Sequence, residues 1–98
     1  MAIRMKVYRQ GKETLVAAAD ADLIGKTFRE GKFKIEVGVF YDGEVVSDEA
    51  LLAQLRLATI GNFVGRETIA AAKRGGYASD DGVLWIDGVP HAQYVMML

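Results

Sequence analysis

The sequence predicts an α+β fold: a single two-layer domain with one mixed or mainly antiparallel sheet, hairpins at both ends of the chain and a central helix pair on one face. Three observations lead to this prediction. Apolar and polar residues alternate near both termini, Gly11-Lys12 and Asp87-Gly88 are signals for tight hairpin turns, and leucines recur at helical spacing after Ser47. A chain of 98 residues is too short for two ordinary domains, so we expect one domain spanning residues 1–98.

The first part of the chain predicts strands. Residues 2–9 alternate apolar and polar side chains, which is the two-residue period of a half-buried strand. Gly11-Lys12 predicts a turn, after which residues 15–18 return as a second strand. Asp20 to Gly25 predicts one helical turn stopped by a glycine, and residues 32–39 alternate again as a strand.

The middle of the chain predicts two helices. Ser47 is the clearest helix start, because its hydroxyl can accept from first-turn amides and the two residues that follow are acidic, which suits the helix dipole. Apolar residues at helical spacing continue this helix to Ile60, and Gly61-Asn62 is expected to end or bend it. A second helix is expected over residues 65–73, closed by cations and glycines.

The last part of the chain predicts a second hairpin. Residues 83–86 form its first strand, Asp87-Gly88 its turn and residues 89–96 its return strand. Pro90 has no N–H to donate to a ladder, so we expect the return strand to lie at an edge of the sheet, at least at its start.

The composition excludes several classes of protein. The chain contains no cysteine, which excludes a disulfide framework, a thiolate nucleophile and cysteine-ligated zinc or iron–sulfur sites. No apolar run approaches the ~20 residues of a membrane span, and the N-terminus alternates charged and apolar residues, unlike a signal peptide. We therefore expect a cytoplasmic protein with no membrane contact, no cofactor and no metal site.

Positive charge is concentrated in the first third of the chain. Residues 1–34 hold eight basic and four acidic residues, whereas residues 35–98 hold four basic and nine acidic ones, and the net charge is −1. The whole protein is too neutral to bind nucleic acid over its entire surface. The charge balance of the first third nevertheless permits a local basic face.

The segment from Lys26 to Lys34 interleaves cations with aromatic residues. We hypothesise that it forms a basic patch for RNA or a ribonucleoprotein partner, because cations neutralise phosphates and exposed rings stack unpaired bases. The residues of this basic patch are Lys26, Phe28, Arg29, Lys32 and Lys34. The structural alternative is that Phe28 and Phe33 belong to the core and that the charges only keep the surface hydrated.

A second candidate site combines polar residues from later in the chain. Thr59, Asn62 and Arg66 share one stripe if the two helices are continuous, and a buried polar stripe needs a partner such as a ligand anion. His91, the single histidine, is a weak candidate for a general acid or base, and Gln93 points the same way in a strand. This alternative site comprises Asn62, Arg66, His91 and Gln93; the structural alternative is that these side chains cap helices or bind neighbouring backbone.

Three functions follow from these candidates. The first is a non-catalytic binding module for RNA or a ribonucleoprotein, and the second is a small-ligand binder or enzyme that uses the alternative site. The third is a homo-oligomer that associates through hairpin edges and an apolar helix. An enzyme is the less favoured of the first two, because no cysteine accompanies the histidine and no serine lies in a nucleophile-elbow pattern.

Five short motifs occur in order along the chain. They are Asp22–Phe28, Glu30-Gly31, Phe40–Glu44, Ala58–Gly65 and Gly88–Gln93. Together they resemble one archaeal family, the domain of unknown function 424, over about residues 5 to 95. The resemblance implies a small archaeal protein and assigns no reaction, ligand or catalytic residue, so the motif positions are candidates for importance without a role.

Overall fold

A computed structural model describes residues 2–96; residues 1, 97 and 98 of the expected domain lie outside it. The described residues form a six-stranded mixed sheet, a two-stranded hairpin and two α-helices, which confirms the α+β prediction. The elements are β1 (Ile3–Gln10), β2 (Glu13–Asp20), a 3₁₀ turn (Ala21–Leu23), β3 (Thr27–Glu30), β4 (Phe33–Glu36), β5 (Glu44–Val46), α1 (Asp48–Leu55), β6 (Ile60–Val64), α2 (Arg66–Arg74), a 3₁₀ turn (Asp80–Gly82), β7 (Leu84–Ile86) and β8 (Val89–Val95). The large sheet has the order β5-β1-β2-β6-β8-β7, in which β2 and β6 are parallel and the other neighbours antiparallel.

Both predicted terminal hairpins form. β1 and β2 pair across Gly11-Lys12, and β7 and β8 pair across Asp87-Gly88. The φ angles of Asp87 and Gly88 are 50° and 77°. Two successive residues with positive φ give the turn geometry that matches the right-handed twist of a hairpin, and aspartate followed by glycine suits it.

The two helices pack on the same face of the sheet, as predicted. Ser47 begins α1, and its Oγ accepts from the Ala50 N–H at 3.1 Å. Apolar side chains of both helices meet the sheet in the first core, whose largest members include Leu51, Leu55, Phe63 and Ile69. Neither of the α-helices formed by residues 2–96 has the length and apolar composition needed to cross a bilayer.

The opposite face of the sheet is covered by the β3–β4 hairpin and the segment 37–41. Ile35, Val37 and Tyr41 pack there against sheet residues such as Ala19 and Val64 in a second core. The sequence predicts a strand after residue 32 but none over residues 27–30, and the pairing of residues 27–30 with β4 adds a layer to the predicted two.

The central strand β6 is the main departure from the prediction. α1 ends at Leu55, and Ile60–Val64 forms a strand between β2 and β8 rather than the end of a helix. Phe63 points into the first core and its neighbour Val64 into the second, so this strand lacks the apolar–polar alternation that distinguishes a strand from a helix. The expected helical stripe of Thr59, Asn62 and Arg66 is therefore wrong.

The expectation that β8 lies at an edge, at least at its start, holds only for Val89 and Pro90, which pair with β7 alone. β8 lies between β6 and β7, and β7 is the edge strand. The β6–β8 ladder ends where Val64 faces His91, and Pro90 lies one residue beyond that last pair. The Pro90 carbonyl still accepts from the Gly65 N–H at 2.9 Å. The sheet tolerates the proline because the β6–β8 ladder ends before it, while on the other side Pro90 pairs with Trp85 of β7.

Asp20, at the end of β2, caps α2 from a distant part of the chain. Its buried carboxylate accepts from the Glu67 N–H at 3.2 Å and from the Thr68 N–H and hydroxyl, both at 2.8 Å. These bonds satisfy donors that the first turn of a helix leaves unpaired. Gly65 has a φ of 106°, and a Cβ there would lie 2.3 Å from Asp20 Cγ, so this junction requires glycine.

Candidate nucleic-acid interface

The β3–β4 hairpin has one face directed to the core and one directed to solvent. Phe28 pairs with Ile35, and both contact the second core. Arg29 pairs with Lys34, and because successive residues of a strand point to opposite sides, both project away from the core. We call this solvent-directed side the outer face; it consists of Thr27, Arg29, Lys34 and Glu36.

The two remaining cations lie at the ends of the same hairpin. Gly31, with a φ of 61°, and Lys32 form the tip. At the base, the Gly25 N–H donates to the Val37 carbonyl at 2.6 Å, and the Val37 N–H donates to the Lys26 carbonyl at 2.9 Å. These bonds extend the hairpin ladder and hold the backbone of Lys26 in place. All four basic residues of the patch are exposed.

The outer face contains one internal ion pair. Lys34 Nζ lies 2.8 Å from Glu36 Oε1. The Lys34 ammonium, by its hydrogen bond and its charge, holds the pKa of Glu36 below the ordinary value of 4.5, and Arg29 contributes more weakly. Among residues 2–96, no carboxylate lies within 4.0 Å of the charged nitrogens of Lys26, Arg29 or Lys32. These three positive charges therefore have no ion-pair partner within the described chain.

Phe28 has to be removed from the basic surface. It is half-buried against the second core, on the side of the hairpin opposite Arg29. The aromatic ring that reaches solvent is that of Phe33, which is 53% exposed near the tip. Alternation along β3 places Phe28 on the inner side, because the register that exposes Arg29 buries its neighbour. Phe33 lies on the same inner side as Ile35 and reaches solvent because it is next to the tip.

Three of the four residues of the alternative site share one face of the large sheet. Asn62 on β6 lies opposite Gln93 on β8, and Gln93 Nε2 donates to Asn62 Oδ1 at 3.0 Å. His91 projects from the same face of β8, and its Nδ1 lies 3.0 Å from the Phe63 carbonyl oxygen. A hollow of about 420 Å³ lies beside His91 and Gln93. Within residues 2–96, no three His, Asp or Glu side chains are placed to hold a metal ion.

Arg66 lies away from these three residues, at the start of α2. Its guanidinium carbon is 5.0 Å from the centre of the Trp85 ring, and its Nη2 donates to the Gly88 carbonyl at 3.4 Å. Ile86 belongs to the second core, so Trp85, its neighbour on β7, points to the helix side of the sheet. The alternative site as predicted is thus divided between two faces of the sheet.

The pairing of Arg66 with Trp85 is a feature that sequence reasoning missed. Trp85 lies on the edge strand β7 and is 49% exposed. Tyr94 on β8, by contrast, is partly buried against the first core, edge-on to Tyr77 with 5.1 Å between the ring centres. The only available signal was a single tryptophan on a short strand beside a turn, and that signal does not identify its partner.

Comparisons with known proteins identify a family but no activity. The sequence matches the family described as "Protein of unknown function (DUF424)" over residues 8–97, which confirms the resemblance. No curated protein matches the sequence. The fold is similar to that in the "Crystal structure of an uncharacterized conserved protein from Methanopyrus kandleri", with a TM-score of 0.82 and 20% identity over 98% of this chain and 93% of that one. At this identity the likeness shows a common fold alone.

Proposed function

Since the chain belongs to the DUF424 family, whose description assigns no activity, we propose a function from the protein's own surface: it is a non-catalytic, cytoplasmic module that binds RNA, free or within a ribonucleoprotein particle. The binding surface is the outer face of the β3–β4 hairpin together with Lys26 at its base and Lys32 at its tip.

One observation carries this proposal: exposed cations that pair with no carboxylate of residues 2–96 are gathered on one short hairpin. Arg29 and Lys32 lie within four residues of each other near the tip, and Lys26 lies at the base. Cations gain most from phosphates when no carboxylate of the protein already neutralises them. Lys34 adds a fourth positive charge that is shared with Glu36.

The hairpin also supports binding because it is anchored. Phe28 and Ile35 fix its inner side to the second core, and Glu30 Oε1 accepts from the Asp87 N–H at 2.6 Å. Cations on an ordered backbone lose less conformational freedom when an anion binds than cations on an open loop do. The arrangement therefore favours a phosphate chain that lies across the hairpin.

Charge reversal on the hairpin tests the proposal. In Arg29→Glu/Lys32→Glu, the affinity for a short labelled single-stranded RNA, measured by fluorescence anisotropy, should fall by at least about tenfold, because two phosphate contacts are replaced by repulsion. The matched control is Arg9→Glu/Lys12→Glu, which makes the same change of charge at the exposed end of the β1–β2 hairpin.

The control variant should bind RNA within about twofold of the natural protein at matched salt. Equal losses in both double variants would mean that only net charge matters, and unchanged binding in Arg29→Glu/Lys32→Glu would remove the hairpin from the interface. Circular dichroism of both variants checks that the fold is kept.

A small-ligand binder or enzyme is the second candidate function. It is supported by the common face of Asn62, His91 and Gln93 and by the hollow lined by His91 and Gln93. Arg66 is not part of this candidate site, because it lies on the other face of the sheet. His91→Ala should abolish binding of such a ligand and leave the affinity for RNA unchanged. Measuring both kinds of binding on this one variant therefore distinguishes the two candidate functions.

Self-association is the third candidate. The edge strand β5 is short, and Val45 on it is 59% exposed, which would suit strand pairing between two copies. Light scattering measures this directly: a mass of twice 10.7 kDa supports the candidate, and a mass of 10.7 kDa at high concentration contradicts it.

A further inference from the structure

A groove runs between α2 and the strands β7 and β8. It encloses about 410 Å³, which is within the usual range for small-molecule sites. Trp85 forms one wall, with Arg66 above its ring, and Lys73 lies along the α2 wall, bonded to Asp80. Its apolar lining comprises Ile69, Ala70, Val83 and Pro90.

The lining of the groove suits a flat ring. A half-exposed indole beside Ile69 and Pro90 offers an apolar stacking surface, and the Arg66 guanidinium lies over its ring at 5.0 Å from the ring centre. Nucleobases stack on both tryptophan and arginine, and every base has a π-face, so such a site tolerates any sequence.

The charges of the groove decide which flat molecules fit. Arg66 already occupies the cation site of the Trp85 ring, and Lys73 adds a second positive charge that Asp80 offsets. A cationic ligand would be repelled by Arg66, whereas a neutral ring attached to a phosphate would be attracted. A nucleotide unit has this combination.

The groove is next to the hairpin that binds phosphates in the proposed function. Glu30 of the hairpin accepts from the Asp87 N–H on one side of the β7–β8 turn, and Arg66 donates to the Gly88 carbonyl on the other side. The basic hairpin and the groove therefore flank the same two-residue turn.

We propose that the groove between α2 and β7 stacks one unpaired base of the RNA strand whose phosphates contact the hairpin. This inference rests on the proposed function. Trp85 supplies the stacking surface, Arg66 moves between the ring and the neighbouring phosphate, and the strand passes over the Asp87-Gly88 turn.

Tryptophan fluorescence tests the inference, because Trp85 is the single tryptophan of the chain. A uridine oligomer and an abasic RNA oligomer of equal length are each titrated into the natural protein, with anisotropy reporting binding and Trp85 emission reporting stacking. The uridine oligomer should quench Trp85, and the abasic oligomer should bind through its phosphates without quenching.

Substitution of Trp85 gives a second readout. Trp85→Ala should weaken binding of the uridine oligomer by roughly 5- to 150-fold and leave binding of the abasic oligomer unchanged, and Trp85→Phe should retain most of the affinity. Circular dichroism monitors folding. If Trp85→Ala does not fold, the fluorescence titration of the natural protein decides alone.

The outcomes separate this inference from the proposed function. Binding of both oligomers without quenching, or with equal quenching, overturns the stacking groove and leaves the hairpin interface in place. Binding of neither oligomer overturns the proposed function and the groove with it.

Discussion

The two faces of the six-stranded sheet carry different kinds of cover. On one face, two helices contribute side chains such as Leu51, Leu55 and Ile69 to a continuous first core. On the other face, a two-stranded hairpin contributes Ile35, and the segment after it contributes Val37. A hairpin is one residue thick, so the side that does not touch the core is entirely exposed to solvent.

This difference separates stability from candidate function. The helix-covered face contains most of the large buried side chains, and it joins α2 to β2 through Asp20. The hairpin-covered face needs only alternate residues of the hairpin for packing. The remaining residues are free to carry charge, and Arg29 and Lys34 are therefore displayed without cost to the core. Substitutions on the two covers should have separable effects.

Removal of the Asp20 carboxylate should produce the largest loss of stability. Asp20→Ala leaves the two buried donors of Thr68 and the part-buried N–H of Glu67 unpaired at the start of α2, so we expect the free energy of unfolding to fall by about 3 kcal/mol. Urea denaturation measures this as a lower midpoint at constant slope.

The control for this change is Asp22→Ala, because Asp22 is exposed in the adjacent 3₁₀ turn. It should alter the free energy of unfolding by no more than about 0.5 kcal/mol. RNA affinity should be unchanged in both variants at temperatures where they are folded. An Asp20→Ala protein as stable as the control would contradict the assigned role of Asp20.

High pH should weaken the second core through Tyr41. Burial raises the pKa of Tyr41 from the ordinary 10.0 to about 12. The folded protein therefore keeps the phenol proton in a range where the unfolded chain releases it, so stability is complete below pH 10 and falls as the pH rises to about 12. By about pH 11 the loss should be about 1.4 kcal/mol.

Tyr41→Phe is the matched variant, because it keeps the ring and removes the titrating group. Between about pH 8 and about pH 11, the free energy of unfolding of this variant should fall by roughly 1.4 kcal/mol less than that of the natural protein. Identical dependence of stability on pH in both proteins would show that the phenol of Tyr41 is not buried in the second core.

Neutralising Glu36 should raise the affinity of the outer face for RNA. Glu36→Gln removes the carboxylate that holds Lys34, which frees that ammonium for phosphate. RNA affinity should rise roughly two- to fivefold, as expected for release of an exposed ion pair. Glu49→Gln makes the same charge change at the exposed start of α1 and should leave the affinity unchanged; a fall in affinity for Glu36→Gln would contradict the interface.

Local signals in the sequence predict the parts of the fold that depend on neighbouring residues. The turns at Gly11-Lys12 and Asp87-Gly88 need residues that accept positive φ, and Ser47 supplies an acceptor to its own first turn. The four cations of the basic patch could also be identified from the sequence, because they lie within nine successive residues.

Features that depend on distant residues could not be predicted. Ile60–Val64 becomes a strand because β2 and β8 flank it, and the five residues carry no alternation of their own. The side on which Phe28 lies is set by the contact of the hairpin with the second core. The proximity of Arg66 to Trp85 likewise exists only after α2 packs against β7.

The salt dependence of RNA binding tests the central claim most directly. Each phosphate contact on a single strand contributes about −0.7 to the slope of log affinity against log salt, so three or four hairpin cations should give a slope of about −2 to −3. Affinity should then fall roughly 40- to 150-fold between about 50 mM and about 300 mM salt, and Arg29→Glu/Lys32→Glu should flatten the slope by about 1.4. A natural protein whose RNA affinity does not change over this range would contradict an interface built on these cations.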